Sequence, residues 1–401
     1  MNNTRYDALI IGAGPAGLSC AIAAAGRGLR VAVADAHEYA GAKLSLAGGG
    51  KGNFTNRHLD EKRYVGSDLS LVPALLKKFS CARVLTLLDS LGIPWEERDY
   101  GQIFGLKSAR LFAERLEGLC RRNGVAFHFG CPVTEVRRIP SGFSVLAGEN
   151  ILHCRQVVIA SGSPACPASG SSGKMLRIAA AWGHESLPFR PALVPLVLPK
   201  GWALEGLDGI SVNVRLGLLR DGEAFFPDPS GVRPMLFTRT GISGPAALVL
   251  SCFRRDGEAI LIDFLPGARL KNLLDSQECG RMQAKTLLRG HLPARLADKL
   301  CPPDLAARHC AQLSRKDRTR IEDAVHRFTV TPDGTEGLAR AEACTGGVSL
   351  RSLTPTLESR FVPGLFFCGE VVDVTGILGG YNIHWALASG TLVGNALPVR
   401  E

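Results

Sequence analysis

The sequence predicts an α/β chain whose main domain is built from both ends of the polypeptide, and three observations predict it. An apolar run from Tyr6 leads directly into Gly12-Ala13-Gly14-Pro15-Ala16-Gly17 and a small-residue helix expected from Ala16 to Ala25. A second apolar run, Leu29 to Asp35, ends in a carboxylate at the spacing of a βαβ unit. Far downstream, Val362 to Phe367 reads as a buried strand. It is followed by Cys368-Gly369-Glu370-Val-Val-Asp373, by Gly376 and Gly379-Gly380-Tyr381-Asn382, and by a helix over residues 383–396.

Each element has a physical reason. Gly12 permits the tight turn, Gly14 lets backbone N–H groups approach a pyrophosphate, and Gly17 lets helix and strand pack closely. The helix N-terminus adds donors and partial positive charge. Asp35, with Ala36 beside it, is placed to accept hydrogen bonds from ribose hydroxyls. These features make the domain Rossmann-like and dinucleotide-binding.

The late element selects the dinucleotide. In FAD-binding doubly wound proteins such a return passes close to the ribityl chain and the isoalloxazine. After Gly369, Glu370 and Asp373 offer carboxylates there, and Gly379-Gly380 lets backbone lie flat against a ring. The helix N-terminus that follows Tyr381 and Asn382 stabilises negative charge on a reduced flavin. A third segment belongs with these: Lys43, the triplet Gly48-Gly49-Gly50, Lys51, and then Asn53, Thr55 and Asn56. It supplies backbone donors and cations for phosphates and amides for a flavin. The turn Ser161-Gly162, after a strand expected at 156–160, and Val133 complete the candidate FAD contacts.

Together these segments resemble the FAD-binding flavoproteins of the aminoacetone-oxidase-like or 3-dehydro-bile-acid-reductase-like family. Further strings carry the resemblance: Gly101-Gln-Ile-Phe104, Phe237-Thr-Arg-Thr-Gly-Ile-Ser-Gly-Pro245, Thr345-Gly-Gly-Val348 and Asp373-Val-Thr-Gly-Ile-Leu-Gly-Gly-Tyr-Asn382. The last is closer to the branch that makes dihydrouridine in ribosomal RNA than to the bile-acid branch. One departure stands out, because the family's usual Arg-Cys-Asn is Lys51-Gly52-Asn53 here.

Composition sets bounds. With 401 residues, 46% hydrophobic and 21% charged, the chain has the profile of a soluble globular protein of two or three domains. No apolar run approaches the ~20 residues that span a bilayer, so no membrane association is expected. The N-terminus lacks a signal-peptide layout, and twelve cysteines are scattered singly, which fits reduced thiols and a cytoplasmic setting. No metal site is expected, since His309-Cys310 is adjacent rather than ligand-spaced. The net charge of +10 suits a polyanion such as ribosomal RNA. Its densest block is Arg315-Lys-Asp-Arg318-Thr-Arg320, with Arg289, Arg295, Lys299 and Arg308 upstream; a solvated helical face reads the same way.

The expected organisation is residues 1–190 as the first part of the FAD-binding domain, 191–266 as an inserted β-rich, barrel-like domain, 267–333 as a helical subdomain, and 334–401 as the second part. Helices are expected at 270–274, 283–288, 292–300 and 305–313, and a strand at 192–198. Only one Gly-x-Gly-x-x-Gly is present, so NAD(P)H is expected to dock transiently as electron donor. The reading is an FAD-dependent oxidoreductase that delivers hydride to an activated C=C bond, such as uracil in ribosomal RNA. The alternatives are an oxidase or ene-reductase with a small-molecule substrate, and a non-catalytic redox-responsive flavoprotein. Tyr381, His384, Cys344 and Cys166 are the proton-donor candidates, and no catalytic residue is assigned among them.

Overall fold

The computed structural model describes residues 5–228, 231–268 and 270–399; the N-terminal residues 1–4, read above for a targeting signal, and 400–401 lie outside them. The chain forms two compact units, Met1–Ala192 with Ala341–Glu401, and Leu193–Arg340.

In the first unit five parallel strands lie in the order Ala126–His128, Val31–Ala34, Arg5–Ile11, Asn150–Ile159, Leu365–Phe367. Ala8 to Ile11, Val31 to Ala34 and Leu365 to Phe367 are buried without interruption. That is why they read as continuous apolar runs rather than as alternating patterns. An antiparallel pair, Gly142–Ala147 and Val133–Ile139, extends the sheet from the first half of Asn150–Ile159.

Two helices made of small residues tie the ends of this unit together. Pro15–Ala25 begins on a proline, whose missing N–H is no loss in a first turn. Tyr381–Ala396 carries Gly390 and Gly394 one turn apart on one face. A Cβ at Gly390 would collide with the carbonyl of Ala16, and one at Gly394 with the carbonyl of Cys20. The two backbones therefore touch with no side chain between them. Arg27 closes the far end, its Nη1 donating to the carbonyls of Gly394 (3.0 Å) and Leu397 (2.7 Å), where the last turn of a helix leaves acceptors unpaired.

The second unit is a sheet in the order Phe328–Val330, Ile260–Asp263, Ser211–Arg220, Arg233–Phe237, Gly241–Ser243, Leu196–Val197, Gly334–Thr335. Helices Gly244–Ser251, Leu270–Asp275, Ala284–Arg289, Ala294–Leu300 and Arg315–His326 accompany it. One core joins strands and helices, with Leu216, Phe237 and Ile262 packed in the same cluster as Leu274, Leu288, Leu296 and Ile321.

Two local expectations are corrected. Residues 305–313 are turns ending in the short 3-10 helix Cys310–Gln312. After Pro302-Pro303 the chain bends back, and His309 bridges to Gln283 instead of continuing a helix. The helix starts later, where Ser314 and Asp317 form a capping box. The strand expected over 192–198 is two strands, Ser186–Ala192 and Leu196–Val197, separated at Leu193, whose φ is 50°.

The helix contact makes a prediction. Gly390→Ala forces a methyl into the Ala16 carbonyl and should lower folding stability by about 2 kcal/mol or more. Chemical denaturation reads this directly, and an unchanged midpoint would contradict backbone contact between the two helices.

Candidate functional site

The glycine turn after the first strand divides into two kinds of glycine. Gly12 has φ of 113°, and its side-chain position is filled by the Ala160 carbonyl, with Ser161 Cα 3.1 Å away. At Gly17 that position is filled by the carbonyl of Gly12. The protein's own packing requires both. Gly14 is different: its φ is −78°, and nothing lies within 4 Å of the position a Cβ would take. Neither backbone nor packing asks for glycine there. It stands at the start of a helix with no side-chain cap and no acid in its first turn, a cradle suited to a phosphate.

Asp35 holds this turn in shape. Its Oδ2 accepts from the Ala13 amide (2.6 Å) and its Oδ1 from the His37 amide (2.8 Å). Each carboxylate oxygen keeps a second lone pair for a hydroxyl. Ala36 beside it is exposed. The Asp35 carbonyl accepts from Cys131 N at 2.9 Å, and Val133, just downstream, is buried and pairs with Ala147.

The remaining sequence candidates converge on the same unit. Gly369, with φ of 75°, places its would-be Cβ 2.7 Å from Ala16 Cβ, so the N-terminal turn and the C-terminal return meet. Ser389 Oγ accepts from Gly369 N at 3.0 Å, and Trp385 Nε1 donates to its carbonyl at 3.1 Å. Lys43 Nζ pairs with Glu370 Oε2 at 2.6 Å, and Glu370 Oε1 accepts from Cys344 N at 3.1 Å. Gly162 lies beside this acid, its side-chain position 3.9 Å from Glu370 Oε2. Ser161 Oγ next to it is buried without a partner among the described residues. The buried Asp373 ties two loops, accepting from Ser67 N (2.7 Å) and Gly346 N (3.1 Å).

In the glycine-triplet loop, Gly49 and Gly50 have φ of 66° and 83°; a Cβ at Gly49 would meet open space, and one at Gly50 would lie 3.8 Å from the Ser45 carbonyl. Gly52, with φ of 78°, does not: a Cβ there would lie 2.6 Å from the Phe54 ring and 3.2 Å from Ala109 Cβ. The loop of this chain therefore has no room for the cysteine that the resemblance places at this position. Asn53 Nδ2 donates to Gln102 Oε1 at 2.8 Å, while its Oδ1 is buried without a partner among the described residues and lies 2.7 Å from the Gly380 side-chain position. Asn56 Nδ2 donates to Gly379 O (2.9 Å) and to Tyr100 O (3.1 Å), and its Oδ1 accepts from His58 N (2.8 Å). Asn382 closes a two-bond contact with Gly376, at 2.8 and 2.7 Å. Tyr381 is buried, donates its hydroxyl to the His58 carbonyl at 3.3 Å, and lies under the Arg63 guanidinium at 5.6 Å. Sequence reasoning left Gln102, His58, Ser67 and Tyr100 unassigned; the only signal was the Gly101-Gln-Ile-Phe string, quoted for resemblance alone.

The proton-donor candidates also acquire environments. His384 is buried; its Nε2 lies 2.8 Å from the Phe79 carbonyl and its Nδ1 2.8 Å from Thr55 Oγ1. A carbonyl only accepts, so Nε2 carries the proton and Nδ1 accepts from the threonine. Burial depresses its pKa to about 4, the Phe79 carbonyl bond opposing weakly. Burial pushes the Cys344 thiol up to about 11, against a hydrogen bond from Ser163. Cys166 is half-buried with φ of 54°.

Four of the eight basic residues of the block in the second unit are ion-paired. Arg289 makes two bonds to Asp298 (2.7 and 2.6 Å), Arg320 two to Asp304 (2.7 and 2.8 Å), Arg308 pairs with Asp317 (3.1 Å), and Arg318 pairs with Asp275. Among the described residues no group of three His, Cys, Asp or Glu side chains is placed to hold a metal, and no helix is long and apolar enough to cross a membrane. All twelve cysteines are free.

The model of the family described as HI0933-like protein Rossmann domain matches residues 6–396. The chain is 35% identical over 394 residues to the ribosomal RNA dihydrouridine synthase of Escherichia coli K12, covering 96% of each chain. It is 30% identical to the 3-dehydro-bile acid delta(4,6)-reductase of Clostridium scindens, over 98% of each. Among solved structures, the Sdh1 complex of Mycobacterium smegmatis in its apo form shares the fold at 18% identity, with a TM-score of 0.50 over 99% of this chain and 68% of that one.

His384 sets a pH dependence of stability. In the unfolded chain its imidazole takes a proton near pH 6.5, whereas in the folded chain it does so only near 4. The unfolded state therefore binds more protons in that window, so stability is full above pH 6.5 and falls as pH drops toward 4. The loss from this group should be about 3 kcal/mol. Denaturation midpoints of wild type and His384→Asn across that range should converge at the acid end. Parallel curves would contradict the neutral, buried assignment.

Proposed function

Because the chain belongs to the HI0933-like Rossmann-domain family, a family of FAD-dependent oxidoreductases, we propose that it is an FAD-dependent reductase of an activated carbon–carbon double bond, with uracil in ribosomal RNA as substrate. The observation that carries this reading is the meeting of the Gly12–Gly17 turn with the Gly369 return at Ala16, beside a glycine that the protein itself does not require. The near-full-length likeness to a ribosomal RNA dihydrouridine synthase supports the substrate.

In this reading Gly14, Pro15, Ala16 and Gly17 line the pyrophosphate, with Ser161 Oγ and Asn53 Oδ1 as the buried groups left for the cofactor. Asp35 and Ala36 take the ribose, and Val133 lies toward the adenine. Lys43 and Glu370 act as a pair: the acid orients the lysine, and the lysine lowers the cost of holding a carboxylate near phosphates. Gly49, Gly50, Gly379 and Gly380 give backbone a close approach to a flat ring. Asn56 bonds Gly379, and Tyr381 and Thr55 pack against Gly379 and Gly380, while Asp373 and Asn382 hold the neighbouring Gly346 and Gly376. FAD, when bound, supplies hydride for C6 of the uracil ring, whose C5=C6 bond is polarised by the C4 carbonyl, while C5 takes a proton. NAD(P)H is the proposed electron donor, docking transiently, and the cytoplasm is the proposed location.

A second reading, a small conjugated ketone as substrate, is favoured by the bile-acid reductase relative and by the paired arginines of the second unit. Nucleoside digests of ribosomal RNA from wild-type and deletion cells decide between them. The first reading expects one dihydrouridine to disappear, and unchanged digests together with NAD(P)H oxidation on a conjugated ketone would replace it by the second. Gly14→Val tests the cofactor assignment. The unoccupied side-chain space and ordinary φ at position 14 should leave folding stability within about 1 kcal/mol of wild type, while the yellow colour is lost. A folded variant that retains full flavin would refute the pyrophosphate assignment.

A further inference from the structure

We propose that Tyr100 is the stacking platform for the substrate base, and that it selects a pyrimidine presented by single-stranded RNA; this rests on the reductase reading above. Tyr100 sits at the tip of the Asp99–Gly101 turn with φ of 60° and ψ of 22°, a left-handed conformation that glycine or asparagine adopts far more cheaply than an aromatic residue. The residue is 37% exposed, so it is not part of the buried core. A partly exposed aromatic residue is held in an unfavourable backbone state, and such outliers cluster at ligand sites.

The turn is fixed at each residue. Gln102 Nε2 donates to the Asp99 carbonyl (3.0 Å), Asn56 Nδ2 to the Tyr100 carbonyl (3.1 Å), and Arg57 N to the Gly101 carbonyl (2.8 Å). Gly101 has no space for a side chain, with His58 Cδ2 at 2.8 Å and Arg57 Cβ at 3.1 Å from the position of a Cβ. The decisive link is Asn56, whose single amide nitrogen also donates to Gly379 O at 2.9 Å. One side chain thus fixes the tyrosine turn relative to the glycine pair assigned above to the ring of the cofactor. Asn53, bonded to Gln102 and lying against Gly380, repeats the link one layer deeper.

The surroundings choose the class of ligand. A small free substrate is normally enclosed over most of its surface, whereas this turn is open to solvent. An open aromatic platform suits a base splayed out of a strand whose remainder stays outside. Arg57 and His58, directly after Asn56, are exposed, and Arg57 stacks on Trp95 at 5.6 Å while pairing with Glu97. Arginine beside aromatic rings is the pattern that follows a single-stranded backbone.

The test uses FAD-loaded full-length protein supplied with NAD(P)H as reductant and a short uridine-containing single-stranded RNA, with binding read by fluorescence anisotropy and product read as dihydrouridine. Tyr100→Asn suits the left-handed backbone, so flavin content and thermal stability should equal or exceed wild type while binding weakens about tenfold. Tyr100→Phe should bind within about twofold of wild type. KM should rise in Tyr100→Asn with kcat held. Equal binding by wild type and Tyr100→Asn, loss of flavin from Tyr100→Asn, or no binding of the RNA by wild type would each overturn the proposal. Tyr100-dependent binding without dihydrouridine would uphold the platform and remove the reductase reading instead.

Discussion

Backbone contact between the first and last helices is the constraint on which the first unit depends. Ala16 and Cys20 on one side and Gly390 and Gly394 on the other leave no space for a side chain. Segments separated by most of the chain must therefore find each other, against a closure entropy that grows with the length between them. Fusing two backbones is a strong answer, because only one register fits. Further ties share the load: Arg27 on the last carbonyls of the C-terminal helix, Gly369 on Ala16, Lys43 on Glu370, and Asn56 on Gly379. Each joins residues from the two ends, and together they set where the candidate site lies.

The fold of this unit was largely legible, because its signals are local. A buried parallel strand is an uninterrupted apolar run, and a turn between strand and helix needs glycines at fixed offsets. Boundaries at Asn53–Asn56 and at the helix beginning on Tyr381 could not be read so closely, since tertiary partners decide them. The capping pair Ser314 and Asp317 is a local signal for the helix start, whereas the apolar spacing at 305–313 points to a helix that a prolyl pair and a bridge to Gln283 convert into turns. The charged block shows a different limit. Composition counts arginines, but Asp275, Asp298, Asp304 and Asp317 pair with four of them, and only the folded arrangement reveals it.

The candidate site was legible as a list and not as a set of roles. Glycines carried the list, yet they divide into those the protein needs, such as Gly12, Gly17, Gly52 and Gly380, and Gly14, which the protein does not need. The polar residues divide as well. Asn56, Asp373 and Asn382 were chosen for chemistry, and the structure shows their polar atoms bonded to backbone groups of Gly379, Gly346 and Gly376. The partners of Asn56 and Asp373 lie far off in sequence, so no local pattern could assign them, whereas Asn382 closes a local loop onto Gly376.

The same accounting narrows how protons are managed. His384 is held neutral by burial, with a carbonyl on one nitrogen and a hydroxyl on the other, Tyr381 donates its hydroxyl to a carbonyl, and burial keeps the Cys344 thiol protonated. Side chains that the sequence offered as acids are thus engaged in positioning backbone. What the cradle presents toward Gly14 and the Gly379–Gly380 pair is then mainly amide groups and helix starts, oriented by those side chains rather than replaced by them. Fixed dipoles of this kind stabilise developing negative charge without reorganising, which a mobile ammonium or imidazolium does not do. On the proposed reading, the residues that bond only to the protein still govern the chemistry, because they set the direction of every dipole at the site.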